Sequence, residues 1–327
     1  MEIRLIYFTM VVSLILSMVI VPVLIPIMRY LKYGQAIRLE GPESHRKKSG
    51  TPTMGGVVFV ISTILTLLVY YAFYYNGSHT FKLTNYILLL LPFVGFSLIG
   101  FVDDYLIVVK KNNNGLSAKK KLLFEIIIAA IFFNLYLKAD LDTSLKIFNY
   151  TLNFKWFYGV IIFFMLVGSG NAVNLSDGLD GLCGGLSGIA IATLTFIAYL
   201  MGQYDLMIVG GAILGSILGF LIFNLYPAKI FMGDTGSLAL GAFLATMAIL
   251  LKVEWMLILI GGVFVIETLS VILQVAYFKK TKGKRLFKMS PLHHHFELCG
   301  LSETKVVLLF YTFGLIFSAI AILMSVY

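Results

Sequence analysis

The chain has 327 residues, of which 59% are hydrophobic and 13% charged, with a formal net charge of +9 and a mean hydropathy of +0.94. Soluble domains carry roughly 25% charged residues, so an ordinary soluble domain, a disordered chain and a disulfide-stapled secreted module are all excluded. Only helices and closed barrels satisfy their backbone groups inside lipid, and barrel strands are about ten residues long and alternate apolar with polar. The apolar runs here are continuous and about twenty residues long, which predicts an all-α polytopic integral membrane protein.

Ten spans are predicted, at 5–28, 54–76, 83–102, 122–138, 156–174, 182–201, 206–226, 236–251, 255–278 and 306–326, forming a single domain over 1–327. The first run is long enough to span and lacks a small-residue cleavage site, so no cleavable signal peptide is expected. Cys183 and Cys299 belong to no paired or metal-type motif and read as small apolar residues. Glu125 and Glu267 lie inside spans; pairing with a polar neighbour accounts for both, and neither is given a catalytic role.

An even number of spans places both termini on one side. The connections that follow the odd-numbered spans hold 19 of the 25 Lys and Arg residues. The positive-inside rule puts those connections in the cytoplasm and both termini outside. The net charge then reads as loops facing anionic lipid, not as a nucleic-acid surface.

All the motifs that carry chemistry fall on that cytoplasmic face, which predicts one composite site there. His45, Arg46, Lys47 and Lys48 precede GTPTMGG at 50–56, where glycines with Thr51 and Thr53 offer donors to a phosphate; the Walker order GxxxxGK[ST] is absent. Asp103 and Asp104 are expected to close the third span. Helical neighbours point about 100° apart, so the two would take different tasks. Lys119, Lys120 and Lys121 form a second basic cluster; for it, as for the first, topology alone is the plain alternative.

NAVNLSDGLDG places Asn171, Asn174, Asp177 and Asp180 at steps of three, with Gly178 and Gly181 allowing a break that re-aims Asp180. Turn and capping chemistry is the alternative. In FMGDTGS, Asp234 is the only acid of its loop and, taken alone, reads as a helix N-cap. Phe231 beside it can stack on a base or anchor in the interface, and Asn224 can reach the same region or end its helix. PLHHHFELCG holds His293, His294 and His295. Adjacent imidazoles converge poorly on one ion, so proton transfer or phosphate contact is favoured over zinc. Carboxylates without cysteine suit a hard ion such as Mg²⁺, and the cations suit an anionic substrate. The residues alone reach a membrane-embedded, metal-assisted enzyme acting on phosphates.

The segments GPESHRKKSGTPTMGG, FVDDY, GLSAKKK, GNAVNLSDGLDGL, FMGDTGSLALG and PLHHHFELCG resemble the polyprenyl-phosphate N-acetylhexosamine 1-phosphate transferases. GTPTMGG and HHH are similar to the bacterial phospho-N-acetylmuramoyl-pentapeptide transferase (translocase I) branch, and the resemblance runs over essentially the whole chain. It implies a multi-pass enzyme of the bacterial cytoplasmic membrane, in a homodimer. The enzyme would move phospho-MurNAc-pentapeptide from UDP-MurNAc-pentapeptide to undecaprenyl phosphate, with Mg²⁺, giving lipid I and UMP. It implies Asp234 as the Mg²⁺ position and Asp103 with Asp104 as the catalytic pair, Asp103 the base. Asn171, Asn174, Asp177 and His293 match further active-site positions. Lys48, Gly178, Leu179, Asp180, Asn224 and Phe231 match the nucleoside end, with Phe231 stacked on uracil. Lys119 and Lys121 match positions near the phosphates, and His294 and His295 positions toward the diphosphate or sugar-peptide. Direct attack by the lipid phosphate and a two-step path through an acyl-phosphate both remain open. A sister transferase using another UDP-N-acetylhexosamine is the alternative, separated by donor choice. A transporter or channel would need charges near the bilayer midplane and interrupted spans in matching halves; neither is found.

Overall fold

A computed structural model of the chain describes residues 2–31, 48, 50–74, 83–110, 115–148 and 150–326. His45, Arg46 and Lys47 of the first basic cluster lie outside the described residues. The elements in chain order are α1 (Glu2–Tyr30), α2 (Val57–Tyr74), α3 (Leu83–Lys110), α4 (Ala118–Lys138), β1 (Ser144–Ile147), β2 (Tyr150–Asn153), α5 (Tyr158–Leu175), α6 (Leu182–Leu200), α7 (Tyr204–Asn224), α8 (Gly233–Leu251), α9 (Met256–Ile260), α10 (Gly262–Lys280), α11 (Leu292–Leu298) and α12 (Glu303–Val326).

Nine helices among the described residues are long and apolar enough to cross a membrane. They correspond to nine of the ten expected spans. The fourth, α4, is a helix as expected, but Lys119, Lys120, Lys121, Glu125 and Lys138 leave it too charged to be counted with them. Four further departures stand out. Helix α3 does not end at the two aspartates but runs on to Lys110, so Asp103 and Asp104 sit within it. The ninth span breaks at Gly261 into α9 and α10. The segment after α4 forms an antiparallel hairpin, Ser144 opposite Asn153 and Ile147 opposite Tyr150; strands of four residues are too short to show a period. The histidine segment, read as a loop, folds into α11.

Helix α8 is the axis of the bundle, with 89% of its most apolar window buried, against 17% for α1 and 28% for α10, which turn most of their surface outward. Small residues let α8 pack backbone to backbone, the usual device where lipid offers no hydrophobic drive. A Cβ on Gly241 would stand 2.3 Å from the Ser169 carbonyl oxygen of α5, and one on Gly100 of α3 would stand 2.1 Å from the Asp234 carbonyl. At one end of the bundle, Lys252 Nζ joins the Asp142 carbonyl (3.0 Å), Tyr158 OH (2.9 Å) and Glu254 (2.9 Å), tying the hairpin side to the helix ends. The described parts of the predicted site segments gather at the other end.

The same close approach occurs between α7 and α1, where a Cβ on Gly215 would meet the Met10 carbonyl at 2.0 Å. Gly215→Ala should therefore destabilise by about 1–3 kcal/mol, seen as a lower melting temperature in detergent. Gly188→Ala, whose added methyl would meet Ile217 at an ordinary 3.6 Å, should melt close to the parent.

Candidate active site

The site is organised by the start of α8. The first amides of a helix have no partner within it and carry the positive end of its dipole. Here α3 supplies the partner. Asp104 Oδ1 accepts from the Asp234 amide (3.1 Å), while Oδ2 accepts from the Thr235 amide (3.0 Å) and hydroxyl (2.6 Å). The N-cap role read into Asp234 thus belongs to Asp104, 130 residues upstream. That leaves the Asp234 carboxylate facing outward from its own helix. Lys121 Nζ donates to its Oδ2 at 2.6 Å and Asn174 Nδ2 to its Oδ1 at 2.7 Å.

The neighbouring Asp103 does different work, as expected of residues about 100° apart on a helix. Its Oδ1 accepts the Leu116 amide at 2.7 Å, in the segment leading into α4, and Asp234 lies beside it. Asp103 therefore keeps acceptor capacity toward the site, whereas Asp104 is occupied by the helix start. Asn171 Nδ2 donates to the Val167 carbonyl at 2.9 Å and lies 3.3 Å from the buried Glu125. Lys119 is exposed and stands outside this cluster.

Helix α5 stops at Leu175, and the break foreseen at the glycines is present. Residues 176–181 turn, and Gly181 adopts φ +78°, a conformation open to glycine. Asp177 in this turn accepts from the Gly233 amide. Burial, then the Asp234 and Asp104 charges, push its carboxyl up to about 7. Asp180 is buried and receives Lys48 Nζ at 2.6 Å and the Ala228 amide at 2.9 Å. Glu303, at the start of α12, accepts from Lys48 Nζ (2.5 Å) and from the Asp180 amide (2.8 Å). Asn224 does end its helix and also clamps the turn: its Oδ1 accepts the Gly181 amide (3.1 Å) and its Nδ2 donates to the Ile230 carbonyl (2.9 Å). Leu179 is buried beneath.

The GTPTMGG segment pairs with the strand-like stretch before α8. Phe231 N donates to the Pro52 carbonyl (2.8 Å), and Gly55 and Gly56 donate to the Phe231 and Met232 carbonyls (2.9 and 2.8 Å). This fixes the partly exposed Phe231 ring and lays buried Thr53 against Gly233. The three histidines separate. His293 is fully buried, with Nε2 directed at Gly178, where a Cβ would stand 2.2 Å away. His294 pairs with Glu297 at 3.1 Å. His295 turns away: its Nδ1 accepts the Lys288 amide at 3.1 Å, and its ring lies against Phe287 and Phe296.

Asp103, Asp104, Asp177 and Asp234, with Asn174, Lys121 and His293, are therefore brought to one place, with Lys48, Asp180 and Phe231 along its rim; Lys119 and His295 are not. Glu125, Glu267 and Glu303 complete the polar set. Glu303 was missed because its acidic helix start looks ordinary in sequence, and its partners lie 123 and 255 residues away. The donor set is oxygen-rich, and its crowded negative charge adds to burial in lifting Asp177. Both features fit a hard divalent ion, which takes about one or two carboxylates and completes its shell with water and phosphate. Among the described residues no three His, Cys, Asp or Glu side chains form a group that could hold a metal ion by themselves.

Residues 86–252 match Glycosyl transferase family 4, and residues 48–60 match Phospho-N-acetylmuramoyl-pentapeptide-transferase signature 1. The chain is similar to the phospho-N-acetylmuramoyl-pentapeptide-transferases of Bacillus licheniformis (51% identity over 326 residues) and Bacillus subtilis (50% over 326 residues), with 99% of each chain covered. That of Geobacillus thermodenitrificans is 48% identical, again over 99% of each chain.

Removing the acceptor at the α8 start should cost more than removing its neighbour. Asp104→Ala strands two amides and a hydroxyl, an expected loss of about 1.5–3 kcal/mol; Asp103→Ala strands one amide. Thermal unfolding in detergent should rank Asp104→Ala clearly below Asp103→Ala, and equal melting would contradict the capping role.

Proposed function

The chain belongs to the phospho-N-acetylmuramoyl-pentapeptide-transferase family, and from that membership we propose that it transfers phospho-MurNAc-pentapeptide from UDP-MurNAc-pentapeptide to undecaprenyl phosphate, releasing UMP and forming lipid I. The observation that carries this reading at the level of residues is the convergence of Asp103, Asp177, Lys121 and Asn174 on Asp234 at the start of α8. Phosphoryl transfer asks for positioned cations and a base, and little else.

In this reading Asp103, whose carboxylate is only partly engaged, takes the proton of the lipid phosphate. A phosphate oxygen then forms a bond to the β-phosphorus of the donor while the bond to UMP breaks. Lys121 and His293 offset charge on the phosphates, and Asn174 holds the Asp234 carboxylate in place. Asp234 would hold Mg²⁺, which when bound neutralises phosphate charge and favours the leaving group. The uridine would lie along Phe231, Lys48, Gly178, Leu179 and Asp180, its base stacked on the Phe231 ring. In the same reading this end of the bundle faces the cytoplasm and both termini lie outside, in the bacterial cytoplasmic membrane; the Arg and Lys distribution supports that orientation. A homodimer is part of the same reading.

The acceptor is a long apolar chain with a charged head. An apolar groove of about 570 Å³ opens between α5 and α10, from Leu145 and Trp255 at the far end up to Ala172 and Val173. Asn174 and the site follow directly. We assign this groove to the polyprenyl chain.

The test is UMP release by purified protein with undecaprenyl phosphate and Mg²⁺, offering UDP-MurNAc-pentapeptide or UDP-GlcNAc. Release with the first donor only, lost on chelation and lost in a folded Asp234→Ala variant, is the expected result. Release with UDP-GlcNAc only would move the chain to a sister reaction, and exchange of labelled UMP into the donor without lipid phosphate would favour an acyl-phosphate path. Gly168 lines the groove with open space where a side chain would begin. Gly168→Leu should raise the KM for undecaprenyl phosphate several-fold while leaving that for the nucleotide donor unchanged.

A further inference from the structure

Glu267 and His293 form a buried pair that the mechanism above leaves unexplained. Glu267 lies in α10, 26 residues before His293, and both are 0% exposed. Glu267 Oε1 accepts the His293 backbone amide at 3.1 Å and stands 3.3 Å from its ring Nδ1. Among the described residues, neither ring nitrogen of His293 nor Glu267 Oε2 makes a hydrogen bond. The opposite edge of the ring, Nε2, faces Gly178 beside Asp177. The His294 ring packs on the His293 ring at 4.2 Å between centroids. The imidazole thus has a carboxylate on one edge and the site's turn on the other, with its site-facing nitrogen unpartnered although buried polar atoms normally find a partner.

We propose that Glu267 is a positioning residue for His293. Its carboxylate holds the imidazole with Nδ1 inward, so that Nε2 is presented to the phosphates at the 176–181 turn. This rests on the transferase reading above. A carboxylate behind a histidine selects the tautomer protonated at Nδ1 and stabilises the imidazolium when Nε2 gains a proton. The competing role is purely structural. Glu267 also satisfies one free amide at the start of α11, and for that a neutral acceptor suffices.

Glu267→Gln separates the two, because Gln keeps the acceptor and the volume but removes the charge. The expected result is an unchanged melting temperature and an unchanged KM for the UDP donor, with kcat lowered about tenfold or more. Glu267→Asp, which restores the charge, should recover part of that loss. In a His293→Gln background, Glu267→Gln should cost almost nothing further, because residues that act as a unit are not additive. Wild-type kcat in Glu267→Gln, a change in KM alone, or a full further loss in the double variant would each overturn the proposal. If the variants do not fold, ¹⁵N-histidine spectra of the wild type still decide: neutral His293 should be protonated at Nδ1, and protonation at Nε2 refutes the assignment. Failure of the wild type to release UMP would instead refute the transferase reading itself.

Discussion

The structure depends on how the start of α8 is satisfied. Three donors at the beginning of the most deeply buried helix need acceptors, and their burial inside the bundle keeps water from supplying them. Asp104 provides them from α3, at 2.6–3.1 Å. The arrangement couples α3 to α8 in register, and with it fixes Asp103, Asp177 and Asp234 relative to one another. Gly100 and Gly56 make the approach possible, since a Cβ on either would collide with the backbone of this same helix start. Close packing and charge placement are thus one constraint.

Four carboxylates brought this close repel one another, and the surrounding cations make the arrangement tolerable. Lys121 meets Asp234, and Lys48 bridges Asp180 and Glu303. Each acid is distinguished by its donors more than by its residue type. Asp104 is saturated by a helix start, Asp180 by a lysine and an amide, and Asp103 keeps free acceptor capacity. A pair that is symmetrical in sequence is asymmetrical in chemistry.

Much of this was legible in the sequence. Apolar length located the spans, and the break after Leu175 followed from Gly178 and Gly181. The gathering of the motifs at one end followed from the alternation of basic and non-basic connections. What was not legible depended on distant partners. Asp234 followed by Thr and Gly reads as a cap, and only the approach of α3 hands that task to Asp104. The ends of α3 and the division of α9 from α10 depend on packing. Three histidines in a row read as a unit, yet on a helix each successive residue turns by about 100°. One therefore points inward, and His295 goes to the Lys288 amide. Glu267 and Glu303 could be recognised only beside His293 and Lys48.

The Lys48–Glu303 contact closes a separation of 255 residues in a chain of 327. A polypeptide emerging from the ribosome delivers Lys48 long before Glu303. Until α12 has entered the membrane, Lys48 lacks one of its two carboxylates and the Asp180 amide lacks its acceptor. The rim of the candidate site is therefore completed only once α12 is in place. A chain inserted without α12 thus presents Lys48 and Asp180 without the carboxylate that joins them.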